Sequence, residues 1–202
     1  NWILLFLVWL SLRGQWRVVG GIAAAGAIML LSTAPLGLGL WWDFQQSTAG
    51  YGGYVLAHYP VDKLLTSHAF LRTCLDAQGV LFYGLWGLLL IGVLWSAWLT
   101  WRSERSMIAQ ASITLLATIS CNVYTNFYDA LFLLLPAAVW WFERDLYSRG
   151  TWRFIGLMIA CIWSWTWLNY FLLQGDAPGH LGLLITAWAM GEGLQSHRSS
   201  AP

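Results

Sequence analysis

A polar, aromatic turn interrupts an apolar part of the chain and carries a single carboxylate. It lies in the segment CNVYTNFYDALFLLLP, which runs from Cys121 to Pro136. Asp129 stands at the start of the Leu-rich run, where a carboxylate is costly in lipid unless it faces water, protein or a substrate. Asp129 is therefore a candidate catalytic residue. The alternative is an interfacial Asp that caps the next helix, with Tyr124 and Tyr128 as ordinary aromatics of the membrane interface.

The composition indicates a membrane protein. Hydrophobic residues make up 58% of the 202 residues and charged residues only 9%, whereas soluble domains carry about 25% charged residues. Because so few charges cannot cover a soluble globule, we expect a polytopic membrane protein. Its 16 Trp residues fit heavily decorated membrane interfaces. The net charge of +1 indicates no nucleic-acid partner.

Seven apolar segments approach the length of a membrane-spanning helix, which is about 20 residues. They predict an all-α fold, a polytopic bundle of about seven transmembrane helices that forms a single domain over residues 1–202. The segments are Trp2–Leu12, Val18–Leu38, Gln78–Trp101, Met107–Cys121, Phe127–Phe142, Phe154–Leu173 and His180–Leu194. The second segment is rich in Gly and Ala, which allows close helix–helix approach. The fourth and fifth are short and predict a tight helical hairpin whose polar tip dips toward the membrane.

The charges between these segments orient them. Eight arginines fall on one side and only two cations, Lys63 and Arg72, on the other, so the arginine-rich side is predicted to be cytoplasmic. The eight are Arg13, Arg17, Arg102, Arg105, Arg144, Arg149, Arg153 and Arg198. The prediction is a multi-pass protein of the bacterial plasma (inner) membrane with a cytoplasmic C-terminus. Glu192, near the cytoplasmic end of the last segment, is predicted to be solvated.

The longest connection is an outer loop over residues 41–77. Glycines and Pro60 punctuate it, and apolar residues recur at roughly helical spacing within Val61–Leu75. This spacing predicts a helix that lies on the surface. We interpret the loop as an ordered cap over an outward-facing cavity, and the alternative is a plain interfacial loop.

No motif for metal or hydrolytic chemistry stands out. His58 and His68 are ten residues apart with Asp62 between them, which matches no dedicated zinc pattern, so no metal site is predicted. A divalent cation held by loop carboxylates stays open. The chain has no GxSxG, HExxH or Walker A sequence. Cys74 and Cys121 map to the outer side and can pair only if that side is oxidising.

The order of features resembles the C-terminal half of glycosyltransferase family 87, a family of polytopic GT-C enzymes. The similar stretches are LRGQWR at Leu12–Arg17, the helix GGIAAAGAIMLL, LGLGLWWDFQQS at Leu36–Ser47 and LLATISCNVYTNFYDALFLLLPA at Leu115–Ala137. Family members carry a Ser-Pro-Tyr-Thr-His-x-Tyr-Asp-like turn before a Leu-rich helix with a Pro. Five residues match that pattern, namely Tyr124, Thr125, Tyr128, Asp129 and Pro136. Three depart from it, namely Asn122, Val123 and Asn126, and an amide at 126 cannot titrate.

The resemblance covers roughly residues 1–145 and implies a hexosyltransferase. It implies transfer of mannose or another hexose from a polyprenyl-phosphate donor to a lipid or glycan acceptor on the outer face. The family's catalytic Asp lies in an early outer loop, upstream of the residues in this sequence. The sequence also begins with Asn1, which is not an initiator residue. We therefore expect the chain to be the C-terminal part of a longer protein. It would supply surfaces for the donor lipid and the acceptor rather than the main catalytic Asp, with no further cofactor predicted.

Inverting sugar transfer needs a carboxylate base and groups that hold the leaving phosphate. Asp129 and Asp43 are the candidates for orienting hydroxyls or a metal, and Lys63, Arg72 and His58 are the candidates for the phosphate. The predicted substrate-binding residues are Tyr124, Asn126, Tyr128, Asp43, His58, Lys63 and Arg72.

Two other functions stay open. A transporter or flippase for a lipid-linked sugar would carry ionisable residues at the membrane midplane and related halves. The apolar runs hold almost no charge and the chain has no internal repeat, which disfavours it. The third function is a non-catalytic membrane scaffold.

Overall fold

A computed structural model describes residues 2–37, 39–58, 66–73, 75, 79–122, 131–168 and 180–199. All regular structure in these ranges is helical, which confirms the all-α prediction. Nine α-helices are described: α1 (Trp2–Leu12), α2 (Trp16–Thr33), α3 (Gly39–His58), α4 (Ser67–Thr73), α5 (Gly79–Arg102), α6 (Met107–Cys121), α7 (Leu134–Phe142), α8 (Arg149–Leu168) and α9 (His180–Ser199). Short 3-10 turns precede α3 and α7 and follow α7.

Two of the described helices are long and apolar enough to cross a membrane, namely α2 and α5. Core helices of soluble proteins and signal sequences can pass the same test of length and composition. The test therefore permits membrane insertion without requiring it.

The chain divides into two compact units. The first, residues 1–6 and 61–202, contains α4 to α9. Its centre is α6, in which every residue from Ser112 to Ser120 is buried and which contacts α5, α7 and α9. Two of its buried polar side chains are satisfied within the helix: Thr114 and Thr118 each donate to the carbonyl four residues earlier, at 2.7 Å.

Two glycines of α9 allow unusually close packing in this unit. A Cβ on Gly193 would lie 2.5 Å from the Cα of Ser96 in α5, and a Cβ on Gly182 would lie 2.1 Å from the carbonyl carbon of Thr66, just before α4. The side chain of Met190 in α9 reaches Gly92 in α5. Because Met190 precedes Gly193 as Gly92 precedes Ser96, α5 and α9 run parallel. The glycines of α2, which the sequence suggested for close approach, have no neighbour within 4 Å at their Cβ positions.

The remaining helices of this unit alternate in direction. Gly156 of α8 faces Trp140 of α7, and α8 packs against α9 through Phe154 beside Gly191. Ser106 and Ser148 explain where α6 and α8 begin, because each hydroxyl accepts the backbone N–H three residues on, at 3.1 and 3.2 Å. Ser106 and Arg105, just before α6, bond to Glu143, just after α7. The C-terminal ends of α5 and α7 therefore lie at the same end of the unit as the N-terminal ends of α6 and α8.

The second unit, residues 7–60, corrects the description of the outer loop. Its first half is the 20-residue helix α3 and not an irregular connection. Glycine lowers helix propensity by about 1 kcal/mol but leaves the backbone N–H in place. No proline occurs between Pro35 and Pro60, so nothing interrupts the hydrogen-bond ladder of α3.

The second half of that loop is described only in part. A helix does form, α4 at Ser67–Thr73, while residues 61–65 lie outside the described part. It does not simply lie on the surface: Ser67 and Leu71 are buried, and α4 contacts α5 and α9. Leu71 packs with Phe82 of α5 in a small apolar cluster, because burying this apolar face removes it from water.

The other predicted boundaries hold for some helices and not for others. The segment predicted at Val18–Leu38 forms α2, which begins two residues earlier and ends five residues earlier, at Thr33, and α7 begins only at Leu134. The bounds of α1 and α6 match the prediction, and α5 is shifted by one residue at each end. The helix predicted from Phe154 begins five residues earlier, at the Ser148 cap, and α9 continues to Ser199. Residues 127–130 of the fifth predicted segment and 169–173 of the sixth lie outside the described ranges.

Candidate functional sites

A buried ion cluster joins the α5–α6 connection, the α7–α8 connection and α9 in the first unit. Arg105 donates from Nη1 to Oε2 of Glu192 at 2.6 Å and from Nη2 to Oε2 of Glu143 at 3.2 Å. The same Nη2 donates to the Tyr147 hydroxyl at 2.6 Å. That hydroxyl donates in turn to Glu192, at 2.8 Å to Oε2, and Trp188 donates to Oε1 at 3.2 Å. We call these five residues the Arg105 cluster.

The cluster corrects the prediction for Glu192. That carboxylate is not solvated, because the residue is only 5% exposed and Arg105 only 9%. Removing two charges from water costs several kcal/mol per ion, so the pair persists only with further hydrogen bonds to its remaining atoms. Tyr147 and Trp188 supply such bonds to Glu192, whereas the buried Nε of Arg105 has no hydrogen-bond partner among the described residues.

The electrostatics of the cluster keep Arg105 charged and Tyr147 neutral. Burial by itself lowers the pKa of Arg105. The charge of Glu192 and the contacts with Tyr147 raise it by more than burial lowers it, so the pKa lies above its usual value. Burial, then the charge of Glu192, raises the pKa of Tyr147, which outweighs the opposing effect of Arg105. The phenol therefore remains a hydrogen-bond donor to Glu192.

Neighbouring side chains extend the cluster to the backbone of the α7–α8 connection. Gln195 donates to the carbonyl of Leu146 at 2.6 Å and accepts from the backbone N–H of Ser148 at 3.3 Å. Ser106 donates to Glu143. The bonds made by Gln195 and Ser106 each join two different elements. Together with the Arg105 cluster they form a clamp between the α5–α6 connection, the α7–α8 connection and α9.

Sequence reasoning missed this cluster although a signal was present. Glu192 is a single carboxylate within a strongly apolar run, HLGLLITAWAMGEGL. Asp129, which was singled out, is likewise a single carboxylate next to an apolar run. An ionisable residue in such a run needs a partner. Arg105, treated as an ordinary loop cation, is that partner.

A second site surrounds Asp43 in the second unit. A pocket of about 440 Å³ is lined by Thr33, Leu40, Trp41, Asp43, Phe44 and Ser47. The Trp41 indole N–H donates to the Thr33 hydroxyl at 2.8 Å, which ties the start of α3 to the end of α2. The rings of Trp41 and Phe44 meet edge to face at 6.1 Å between centroids. The exposed Asp43 carboxylate thus stands beside a fixed aromatic surface, an arrangement suited to a ligand with apolar faces and hydroxyl groups.

Arg72 lies at a third place, in the first unit. It is exposed, and its guanidinium carbon lies 5.5 Å from the centroid of the Phe82 ring. His68, one turn earlier in α4, packs edge-on against Phe82 and Trp86 at 4.9 and 5.5 Å. Burial, then the charge of Arg72, lowers the pKa of His68. Arg72 therefore has the exposure that a phosphate contact needs, and His68 is an apolar-packed, neutral neighbour.

Most other predicted site residues lie outside the described part of the chain. These are Lys63, Tyr124, Asn126, Tyr128 and Asp129. His58 is the last residue of α3, and its side chain is not among those described. The thiol of Cys121 is free, and Cys74 lies outside the described residues.

Among the residues that the structure describes, no three His, Cys, Asp or Glu side chains come together in a way that could hold a metal ion. Comparisons of the chain with known protein families, with curated proteins and with solved structures found no match. The likeness to glycosyltransferase family 87 therefore rests on the quoted residues and stays a prediction.

Proposed function

We propose that this chain is a multi-pass membrane helix bundle that takes part in sugar transfer from a polyprenyl-phosphate donor at the outer membrane face. Membrane insertion is supported first by α5. Its exposed apolar residues Leu81, Leu88, Ile91 and Trp95 recur at spacings of seven, three and four, which places them on one face of the helix. A continuous apolar face of this kind is typical of a surface that contacts lipid or protein.

The helix α2 supports insertion independently. It is 18 residues long and apolar, and none of its residues is buried. In water its exposed side chains would cost about 25 cal/mol for each Å² of apolar surface. Lipid removes that cost, because hydrocarbon solvates apolar side chains and the helix satisfies its own backbone hydrogen bonds.

The alternating helices of the first unit agree with the proposed sidedness. The ends that meet at the Arg105 cluster carry Arg102, Arg144, Arg149 and Arg153, which are exposed. Arg72 lies on α4, and Thr66, the residue just before α4, meets Gly182 at the opposite end of α9. We therefore propose a cytoplasmic cluster end and an outer α4 end within the seven-span topology.

Cysteine labelling of intact cells tests this topology. In a chain whose three cysteines are replaced by Ser, we expect a membrane-impermeant maleimide to label Arg72→Cys and to spare Asp145→Cys. Both positions are exposed, so access to the reagent and not burial decides the result. After the cells are opened, both should react. Equal labelling of intact cells would contradict the sidedness, and release of the chain by alkaline carbonate would contradict insertion.

The Asp43 pocket carries the proposal of sugar transfer. Aromatic side chains offer a face to the C–H groups of a sugar ring, and a carboxylate accepts hydrogen bonds from its hydroxyls. Trp41, Phe44 and Asp43 provide these groups at the α2–α3 corner. The motif around Asp129 supports the same chemistry through its likeness to glycosyltransferase family 87. In this proposal Asp43 orients a hexose and Asp129 orients the acceptor hydroxyl.

A transfer assay tests this function. Membranes that contain the protein at its full natural length are supplied with a radiolabelled polyprenyl-phosphate hexose. Asp43→Asn is expected to lower kcat/KM about tenfold, because a hydrogen bond to a charged acceptor contributes about 1.5 kcal/mol. Asp129→Asn is expected to lower transfer as well.

The matched control is Asp145→Asn, which removes a carboxylate that is 94% exposed on the proposed cytoplasmic side and should leave transfer unchanged. Unchanged turnover in Asp43→Asn and Asp129→Asn would remove both from the site. Exchange of intact lipid-linked sugar across liposomes, without chemical change, would support a transporter instead.

A further inference from the structure

The connection between α7 and α8 presents cations and large apolar side chains side by side. We call residues 140–157 the α7–α8 elbow. Arg144, Arg149 and Arg153 are exposed there. So are five apolar side chains, namely Trp141, Phe142, Leu146, Phe154 and Leu157. Phe142, at 82% exposure, is among the most exposed large apolar residues described.

Hydrogen bonds and ring stacking fix the side of the elbow that faces the rest of the first unit. Glu143 and Tyr147 belong to the network around Arg105, and Gln195 bonds to the backbone on both sides of Tyr147. Trp140 stacks on Trp152 at 4.8 Å between ring centroids, with an angle of 16° between the rings. The outward residues therefore need little further ordering when a ligand binds, which favours binding.

The exposed charges of the elbow are mostly positive and unneutralised. Arg144 approaches Asp145 at 3.8 Å, and both side chains are largely exposed, so this pair contributes little. Arg149 and Arg153 have no ion pair within the described residues. The exposed surface of the elbow thus carries three guanidinium groups and one carboxylate, and aromatic rings lie between them.

We propose that the α7–α8 elbow binds the headgroups of anionic phospholipids in the leaflet on its own side of the membrane. Guanidinium groups pair with phosphate oxygens in a forked geometry. Trp and Phe side chains occupy the boundary between headgroups and acyl chains. The negative surface potential of a leaflet rich in anionic lipid attracts exposed Arg residues close to it. The inference rests on membrane insertion but not on sugar transfer.

Spin-labelled lipids test the inference. The protein is reconstituted in phosphatidylcholine vesicles, and the motionally restricted fraction is measured for labelled phosphatidylglycerol and labelled phosphatidylcholine. We expect wild-type protein to prefer phosphatidylglycerol about fivefold and the preference to weaken as salt is added. The triple variant Arg144→Gln, Arg149→Gln, Arg153→Gln should show a ratio near one, whereas the corresponding Arg→Lys variant should keep a preference.

The control is Arg13→Gln, Arg17→Gln, Arg102→Gln, which removes the same charge from the same predicted side. An equal loss of preference in this control would overturn the inference, since net charge alone would then explain the selectivity. A preference that persists in the elbow variant would also overturn it. Equal restriction of both lipids by wild-type protein would refute the elbow site alone. The absence of any restricted lipid would refute insertion itself and the elbow site with it.

Discussion

Arg105→Met is expected to lower the free energy of unfolding by about 3–5 kcal/mol, the usual cost of removing one partner from a buried ion pair. Methionine fills much of the volume of the arginine stem, so the loss reports charge and hydrogen bonding more than a cavity. Glu192 would keep its bonds from Tyr147 and Trp188 but would lose the bond at 2.6 Å to Arg105. Its charge would remain buried without compensation. Reversible unfolding in mixed detergent micelles measures the change.

Arg102→Met is the matched control for that prediction. It makes the same substitution three residues away, at an exposed arginine whose guanidinium carbon lies 5.6 Å from the Trp98 ring centroid. An exposed cation–π contact contributes about 0.5–1 kcal/mol, so the control should lose no more than that. Replacing both ions, as Arg105→Met with Glu192→Leu, should recover part of the stability, because no unpaired charge is then left between them. Equal losses in the two single variants would contradict the buried clamp.

Gly193→Ala is expected to lower the free energy of unfolding by about 1–3 kcal/mol, through overpacking between α5 and α9. The added methyl group would lie 2.4 Å from Cβ and 2.5 Å from Cα of Ser96. A flexible side-chain end could move aside, but Cα belongs to the backbone of α5, so the two helices must separate. The same unfolding measurement detects the loss.

Gly87→Ala is the control for the α5–α9 contact. Gly87 lies within α5, and a Cβ there would meet no atom within 4 Å. Alanine favours a helix over glycine by about 1 kcal/mol, so this variant should be neutral or slightly more stable. A loss in Gly87→Ala as large as that in Gly193→Ala would attribute the effect to α-helix backbone changes in general and would contradict close packing at Gly193.

The two predictions concern the same structural property, the fixed position of α9 against its neighbours. Gly182 and Gly193 bring α9 close to the start of α4 and to α5. The Arg105 cluster then joins α9 to both connections at one end of the unit. A loosened clamp would release the α7–α8 elbow from its inner bonds.

The positions of the helices could be predicted from the sequence because their determinants are local. Long apolar runs without proline define α5 and α6, and Ser106 supplies the cap at which α6 begins. The irregular appearance of residues 41–58 was misleading, since glycine weakens a helix without removing a hydrogen-bond donor. Asp43 was predicted as a site residue from the sequence and its role stays a prediction, whereas the aromatic neighbours that line its pocket were not singled out.

The pairing of distant residues was decided only by the tertiary structure. Gly20 and Gly193 are the same residue type within apolar helices, yet only Gly193 has another backbone against it. Arg105 and Glu192 are 87 positions apart, and no periodicity links them. Local sequence determines which segments form helices, because caps and backbone hydrogen bonds act within a few residues. Which charges become buried together depends on how α5, α6, α7 and α9 pack, because desolvation and Coulomb attraction depend on distance in space and not on separation along the chain.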